Sequence, residues 1–196
     1  MTTKAWRPKD NSDPALKIAL RKKYLPLEAS VLDCFCGNGT MYHNVYEGRT
    51  ARYHGLDDKK VHTLELCTLM DNEAYVRRRD LSGFNVFDLD AYGSPWKLFL
   101  LICRVLKKRD EPYVFFLTDG TILRAKLNSA PPRIISATES IPTSFSIPCI
   151  NHWYVEMFMT MLAKAEEKYG LDIEEAVYLK NDRGSVYYWA LRVRKR

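Results

Sequence analysis

Short apolar runs alternate along this chain with longer stretches of helical periodicity. The short runs, bounded by Gly, Asn or Asp, predict five strands, over residues 30–36, 52–56, 75–79, 84–89 and 113–117. Apolar positions at helical spacing predict helices, over residues 15–24, 40–47, 59–70, 95–108 and 152–169. The three consecutive arginines of the third predicted strand would be unusual in the centre of a sheet.

The first predicted helix carries its own start signal. Ser12 or Asp13 can cap it, because a short oxygen-bearing side chain accepts hydrogen bonds from the first free backbone N–H groups. Its apolar positions are Leu16, Ala19 and Leu20. The pattern predicts that these three residues face the core and that the basic residues around them form the outer face.

Two apolar stretches towards the C-terminal end, residues 173–180 and 186–193, flank the turn-forming sequence Asn-Asp-Arg-Gly at 181–184. That arrangement predicts a β-hairpin, whose strands are antiparallel. Strands that alternate with helices predict a mainly parallel sheet covered on both faces. The expected fold is therefore a single α/β domain over residues 1–196, with a doubly wound, seven-stranded sheet that is mainly parallel and ends in an antiparallel hairpin.

Residues 121–150 do not fit this alternation. The segment is rich in Pro, Ser and Thr, and it exceeds the roughly 12 to 15 residues beyond which connections are uncommon and usually functional or disordered. It follows the carboxyl end of a predicted strand, which is where open α/β sheets bind their ligands. We therefore expect a substrate-side loop insertion, in which Arg124, Lys126 and Arg133 can contact phosphate groups.

The stretch of residues 31–40 carries the main binding signal. An apolar strand runs into a turn with two glycines, and a backbone without Cβ atoms can approach a ligand closely. A carboxylate near the end of the strand can hold a cationic amino group. The residues expected to line this site are Asp33, Phe35, Cys36, Gly37 and Gly39.

Three further acids are candidates for contacts with a nucleoside. Asp57 lies about 20 residues beyond the glycine turn, at the end of the next predicted strand, where an acid can accept hydrogen bonds from both ribose hydroxyls. Asp58 can take that role instead, or it can cap the following helix. Asp80 can contact an adenine amino group, or it can balance the charge of residues 77–79.

The glycine turn also distinguishes between two kinds of cofactor. A dinucleotide site uses a third glycine for close packing of helix on strand, and Tyr42 stands at that position. S-adenosylmethionine has no pyrophosphate, and it carries a cationic sulfonium and amino group that suit the carboxylate of Asp33. The turn therefore favours S-adenosylmethionine as the cofactor.

A second cluster follows the fourth predicted strand. Asp88, Asp90 and Tyr92 lie close together at a carboxyl end that the sheet should present to a ligand. A carboxylate can accept the protons of an exocyclic amine, and a tyrosine ring can stack on a flat base. We expect these three residues to be catalytic, although the segment also has the composition of an ordinary turn.

Residues 88–94, Asp-Leu-Asp-Ala-Tyr-Gly-Ser, resemble the D-L-D-P-[YF]-G-S motif of tRNA guanine dimethyltransferases, which methylate the exocyclic amino group of a guanine. Residues 90–92 resemble, more loosely, the [DNS]-P-P-[YFW] motif of amino-methylating enzymes. Residues 116–123 are similar to the T-x-x-D-x-x-x-L stretch of the first family, with a shortened spacing. Motif order and position agree across roughly residues 30–125.

The resemblance implies the Rossmann-like fold of class I methyltransferases, with S-adenosylmethionine bound by Asp33, Gly37, Gly39 and Asp57. It also implies that Asp90 accepts the amine with Asp88 beside it, and we expect Pro95 among the substrate contacts. The chain departs from the family in two ways. Ala91 stands where the family has proline, and we expect this chain to be too short for the large C-terminal RNA domain of the family.

The formal net charge of +6 favours an anionic partner such as nucleic acid. We therefore expect methylation of a base, with RNA favoured over DNA, and a protein partner can supply substrate recognition. Three alternatives stay open: a methyltransferase that acts on a protein or small molecule, a cytosine methyltransferase with Cys149 as its nucleophile, and a cofactor-binding homologue without activity.

The remaining sequence features predict an ordinary cytoplasmic protein. No apolar run approaches the roughly 18 to 20 residues that cross a bilayer, and the N-terminal stretch does not resemble a signal peptide. The four histidines form no recognisable ligand set, so no metal is expected. The five cysteines are expected to be small buried residues in a reducing compartment.

Overall fold

The computed structural model describes residues 13–58, 66–122 and 147–196, with the side chains of 147–153 excepted. The strands in this part of the chain are β1 Ser30–Asp33, β2 Arg52–Asp57, β3 Cys67–Leu69, β4 Val86–Leu89, β5 Tyr113–Asp119, β6 Leu171–Lys180 and β7 Tyr187–Lys195. They form one seven-stranded sheet in the order β3-β2-β1-β4-β5-β7-β6. Neighbouring strands from β3 to β5 are parallel, and β7 is antiparallel to both β5 and β6. The expected sheet is thereby confirmed.

Helices flank this sheet. Those in the described residues are α1 Pro14–Tyr24, a π-helical segment Tyr42–Tyr46, α2 Asn72–Arg78, α3 Trp96–Val105 and α4 Ile147–Tyr169. Asp13 caps α1, as one of the two expected alternatives. α4 begins at residue 147, before the expected start at 152. Residues 121–122 of the expected loop are helical, and the candidate phosphate contacts Arg124, Lys126 and Arg133 lie outside the described residues.

Two predicted elements between β2 and β4 are wrong. The helix expected over residues 59–70 is replaced in its described part by β3, because this stretch pairs in parallel with the end of β2. The strand expected over residues 75–79 is helical instead. Its helix, α2, begins after Asp71, whose side chain accepts a hydrogen bond from the backbone N–H of Ala74 at 2.7 Å. The arginines at 77–79 are exposed, which a helix surface permits and a central strand does not.

The C-terminal hairpin is confirmed. Between β6 and β7, the side-chain oxygen of Asn181 accepts hydrogen bonds from the backbone N–H groups of Ser185 and Val186, at 2.9 and 3.1 Å. Gly184 has a φ of 58°, a conformation that glycine adopts at little cost. The asparagine cap and this glycine together turn the chain between the two strands.

Apolar side chains cover both faces of the sheet. Leu32 belongs to a core cluster with α3 and α4, and its neighbour Val31 belongs to a second cluster with α1 and the π-helical segment. This division follows from the alternation of side chains along a strand. In the first cluster, Phe158 of α4 stacks on Trp189 of β7 with ring centroids 3.6 Å apart. Among the described helices, none has the length and apolar character needed to span a bilayer.

The outward basic face expected for α1 is wrong at two positions. Lys17 and Arg21 are buried, whereas Ala19 is exposed. Arg21 donates from Nε and Nη2 to the two carboxylate oxygens of Asp88 on β4, at 2.7 and 2.6 Å. The two side chains are 1% and 0% exposed. A two-bond contact of this kind fixes both the position and the rotation of α1 on the sheet.

Removing one partner of this ion pair should destabilise the fold strongly. In the Arg21→Met variant, the carboxylate of Asp88 stays buried without its guanidinium, and breaking such a pair costs about 3–5 kcal/mol. Urea unfolding followed by circular dichroism measures the loss in the free energy of unfolding. The matched control is Lys22→Met, which removes an exposed cation from the same helix and should change stability by less than about 0.5 kcal/mol. Equal stability of the two variants would contradict this role of Arg21.

Candidate functional site

Four parallel strands bring their carboxyl ends to one edge of the sheet. Asp33, Asp57 and Asp119 are the last residues of β1, β2 and β5, and Asp90 directly follows β4. Open α/β sheets bind their ligands outside the carboxyl ends of such strands. The candidate cofactor turn and the candidate reaction site therefore lie on the same edge of the sheet, at the ends of the neighbouring strands β1 and β4.

The glycine turn is anchored to the end of β2. Gly37 and Gly39 have φ values of 50° and 75°, which favour glycine over residues with a Cβ atom. The backbone N–H of Gly37 donates to a side-chain oxygen of Asp57 at 3.0 Å. The N–H of Cys36 donates to the carbonyl of Leu56 at 2.9 Å. The turn and the candidate ribose-binding acid are thus held together, as neighbours in one local structure.

Cys36 differs from the expectation of a free buried thiol. It forms a disulfide with Cys67 on β3, and the two Cα atoms are 7.0 Å apart. Between them lies Gly55 of β2, where an added Cβ atom would come within 2.9 Å of the Cys36 Cβ. Because Gly55 has no side chain, Cys36 can reach across β2. The disulfide therefore links the candidate cofactor turn to the edge strand.

Asp33 is buried at the end of β1, with 1% exposure. Its carboxyl accepts hydrogen bonds from the hydroxyl of Tyr53 at 2.8 Å and from the backbone N–H of Phe35 at 3.1 Å. Burial raises the pKa of Asp33 well above its ordinary value, and the nearby charge of Asp88 adds to that effect. The side chain of Phe35 is half-buried beside it.

Asp88 lies too deep to reach the open edge. Its side chain is fully buried and is held by Arg21 and by the hydroxyl of Tyr46, which donates to the same oxygen as Arg21 Nε. Burial and the adjacent carboxylate raise the pKa of Tyr46 well above its ordinary value. The contacts of Asp88 are therefore contacts of the fold, between β4, α1 and the π-helical segment.

Asp90 and Tyr92 are closer to solvent. Lys17 donates from Nζ to both oxygens of Asp90, at 2.7 and 2.9 Å, and the Asp90 side chain keeps 15% exposure. Burial by itself would raise the pKa of Asp90, but the charges of Arg21 and Lys17 outweigh it and hold the pKa below its ordinary value. Tyr92 is 83% exposed and Ala91 is buried. A carboxylate and an exposed aromatic ring thus lie two residues apart in the segment after β4.

Asp119, at the end of β5, is hydrogen-bonded to side chains of α3 and α4. This buried carboxyl accepts hydrogen bonds from the indole N–H of Trp96 on α3 and from the hydroxyl of Tyr154 on α4. Burial raises the pKa of Asp119. The following residue, Gly120, donates its N–H to the carbonyl of Gly93 at 2.6 Å. Asp119 and Gly120 together hold the segment after β4 against β5 and α4.

The remaining expected site residues have other surroundings. Asp58 is exposed beside Asp57, and Pro95 is buried directly before α3. Asp80 is exposed, and hydrogen bonds from Lys107 and Ser82 lower its pKa to about 2. The carboxylate of Asp80 therefore carries a charge and is already paired on the protein surface.

The polar side chains that contact Asp33, Asp88 and Asp90 were not predicted from the sequence. Lys17 and Arg21 were expected on the outer face, because basic residues on a helix usually face water. The signal that could have found them is their spacing of four residues, on the same side of α1 as Leu20. Nothing local marks Tyr46 or Tyr53 as partners of Asp88 and Asp33, since these contacts span 42 and 20 residues of sequence.

Comparison with known proteins identifies the fold. No family model and no curated protein sequence matches the chain. Among solved structures it is similar to a protein named "Putative hemolysin" from Streptococcus thermophilus, with 14% identity, a TM-score of 0.57, and coverage of 98% of this chain and 70% of that one. It is also similar to M. jannaschii TYW2 in complex with AdoMet, with 12% identity, a TM-score of 0.53, and coverage of 96% and 80%.

A third similar structure is P. horikoshii TYW2 in complex with MeSAdo, with 13% identity and a TM-score of 0.54. The match covers 95% of this chain and 64% of that one, so the chain spans less than two thirds of this relative. Identities this low show the fold alone. The chain has the Rossmann-like, seven-stranded fold that class I methyltransferases share.

Proposed function

We propose that this protein is an S-adenosylmethionine-dependent methyltransferase that acts on an exocyclic amino group of a nucleic-acid base, with RNA favoured over DNA. The observation that carries the proposal is the position of two segments at one edge of the sheet: the glycine turn after β1, hydrogen-bonded to Asp57, and residues 90–92 after the neighbouring parallel strand β4. The fold supports it, because two of the similar structures are TYW2 complexes with AdoMet or MeSAdo.

The residues of the turn fit this cofactor. Gly37 and Gly39 let the backbone approach it, and Asp57 offers carboxylate oxygens to the ribose hydroxyls, with Asp58 as a neighbour able to replace it. Asp33, Phe35 and Cys36 line the start of the turn. When bound, the cofactor supplies an electrophilic methyl group. The part of the protein is to hold that group in line with an amine.

In this proposal Asp90 accepts an N–H group of the substrate amine and Tyr92 stacks on the ring that bears it. Tyr92 is the exposed residue of the segment after β4, and the side chain of Asp90 keeps 15% exposure. Asp88 was expected to be catalytic. We infer instead that it is a positioning residue, because its carboxylate is buried and is bonded to Arg21 and Tyr46. The net charge of +6 favours the polyanionic substrate.

Replacing Asp57 should strongly weaken cofactor binding. In Asp57→Ala, two charge-assisted hydrogen bonds to the ribose are lost, each of about 1.5–3 kcal/mol, so the affinity for S-adenosylhomocysteine should fall about 100-fold or more. Isothermal titration calorimetry measures it. The control Asp172→Ala removes an exposed acid at the opposite end of the sheet and should bind like the wild type. A folded wild type that binds no S-adenosylhomocysteine would contradict the proposal.

Replacing Asp90 should stop methyl transfer while the cofactor still binds. Without the acceptor of its proton, the amine loses its orientation, and kcat should fall about 100-fold or more in Asp90→Ala. The assay offers methyl-labelled cofactor with separate pools of RNA, DNA and protein, and Asp110→Ala, an exposed acid, serves as control. Label that appears in protein alone, or unchanged transfer by Asp90→Ala, would contradict the assignment.

Removing the exposed ring of Tyr92 should weaken substrate binding. Stacking of a base on an aromatic side chain contributes about 1–3 kcal/mol, so Tyr92→Ala should raise KM for RNA roughly 5- to 150-fold. The affinity for S-adenosylhomocysteine should stay the same. Tyr178→Ala, at a 43% exposed tyrosine of β6, is the matched control. A KM equal to that of the wild type would remove Tyr92 from the substrate site.

A further inference from the structure

Two cations of α1 form ion pairs with two acids, one in β4 and one directly after it. Lys17 and Arg21 lie four residues apart and so share one face of the helix. Asp88 and Asp90 lie two residues apart and so point to the same side of an extended chain. Arg21 pairs with Asp88, and Lys17 bonds to both oxygens of Asp90. These four residues therefore bring no net charge to the site.

Asp33, a further acid near Asp90, has its own hydrogen-bond donors. Asp33 on β1 accepts the hydroxyl of Tyr53 and the N–H of Phe35, and burial disfavours its charged form. The titratable groups whose charges act on Asp90 are Lys17 and Arg21 of α1 and Asp33 of β1. Asp88 of β4 and Tyr46 of the π-helical segment interact in turn with Arg21. In the described part of the chain, no carboxyl of this group is left without a cation or a hydrogen-bond donor.

From this balance of charges we propose that Lys17 determines the class of amine that the site accepts. It restricts the reaction to amino groups that are uncharged before transfer, such as those of heteroaromatic bases, and excludes alkylammonium groups such as lysine side chains. The inference depends on the methyl-transfer function proposed above. An ammonium ion would lose its hydration at this site without gaining a counter-ion, because Lys17 already occupies Asp90.

The proton that the amine must lose during methyl transfer also favours an uncharged base amine over an alkylammonium group. The lone pair of the amine forms the N–C bond, the bond between sulfur and methyl breaks with its electrons left on sulfur, and the nitrogen gives a proton to Asp90 and then to water. Arg21 and Lys17 hold the pKa of Asp90 low. Such a carboxylate can take the acidic proton of a newly methylated base amine. It cannot deprotonate an alkylammonium, whose pKa is about 10.4.

The test compares Lys17→Met with Lys22→Met, which removes an exposed cation from the same helix. Lys17→Gln and Lys17→Arg are the second neutral variant and the charge-preserving variant. A ¹³C NMR titration follows the Asp90 carboxyl in each protein. Loss of a neighbouring positive charge should raise the pKa of Asp90 in Lys17→Met and Lys17→Gln, and leave it unchanged in Lys22→Met.

The same variants are assayed with methyl-labelled cofactor and two probes, a single-stranded RNA oligonucleotide and polylysine. The wild type should label RNA far more strongly than polylysine. In Lys17→Met the ratio of RNA to polylysine labelling should fall at least about 10-fold, and the acid limb of the pH–rate profile for RNA should move to higher pH. Lys17→Arg should restore both. A purely structural role of Lys17 would lower the rate without moving the profile or the ratio.

Two results would overturn the inference alone: equal labelling of both probes by the wild type, or an unchanged ratio and an unchanged Asp90 titration in folded Lys17→Met and Lys17→Gln. A wild type that binds S-adenosylhomocysteine but labels neither probe has a different meaning. It contradicts the proposed function, and the selection by Lys17 is rejected with it.

Discussion

The ion pair between Arg21 and Asp88 holds α1 on β4, and the arrangement of the carboxyl edge depends on it. Neither charge can be buried without the other, because an uncompensated ion at this depth costs several kcal/mol. The chain places Lys17 one helical turn before Arg21 and places Asp90 two residues beyond Asp88. Docking of the first pair therefore brings the second into register. One buried contact thus sets both the position of a helix and the charge of the candidate reaction site.

A second constraint, the close approach of two backbones, shapes the other half of the edge. Gly55 leaves room for the side chain of Cys36 to cross β2, and the next residue, Gly37, then turns the chain with its N–H directed at Asp57. The two halves adjoin because β1 and β4 are neighbours, and in the proposed function a cofactor at the turn faces the segment that contains Asp90 and Tyr92.

Much of this edge was predictable from local sequence. Two glycines after an apolar strand predict a turn, and an acid at the end of the next strand predicts a ligand contact, each from only a few residues. In the structure, the backbone N–H of Gly37 is hydrogen-bonded to Asp57. The predictions were wrong where a short segment was compatible with both a helix and a strand. Residues 67–69 form an edge strand because β2 offers a free edge, and residues 72–78 form a helix because Asp71 caps it. The hydrophobic pattern of a segment shows neither which strand it will pair with nor how strongly a cap will favour a helix.

The sequence by itself determined the alternation of strands and helices outside residues 59–79, the mainly parallel sheet with its closing hairpin, and the acids and glycines at the strand ends, because these follow from patterns within about a dozen residues. Only the tertiary structure decided which face of α1 is buried and which acids are already paired. Arg21 and Asp88 are 67 residues apart in the chain, and Lys17 and Asp90 are 73 apart. A charged side chain is assigned to the surface by its own chemistry, and it becomes part of a core only when folding brings its counter-ion to it.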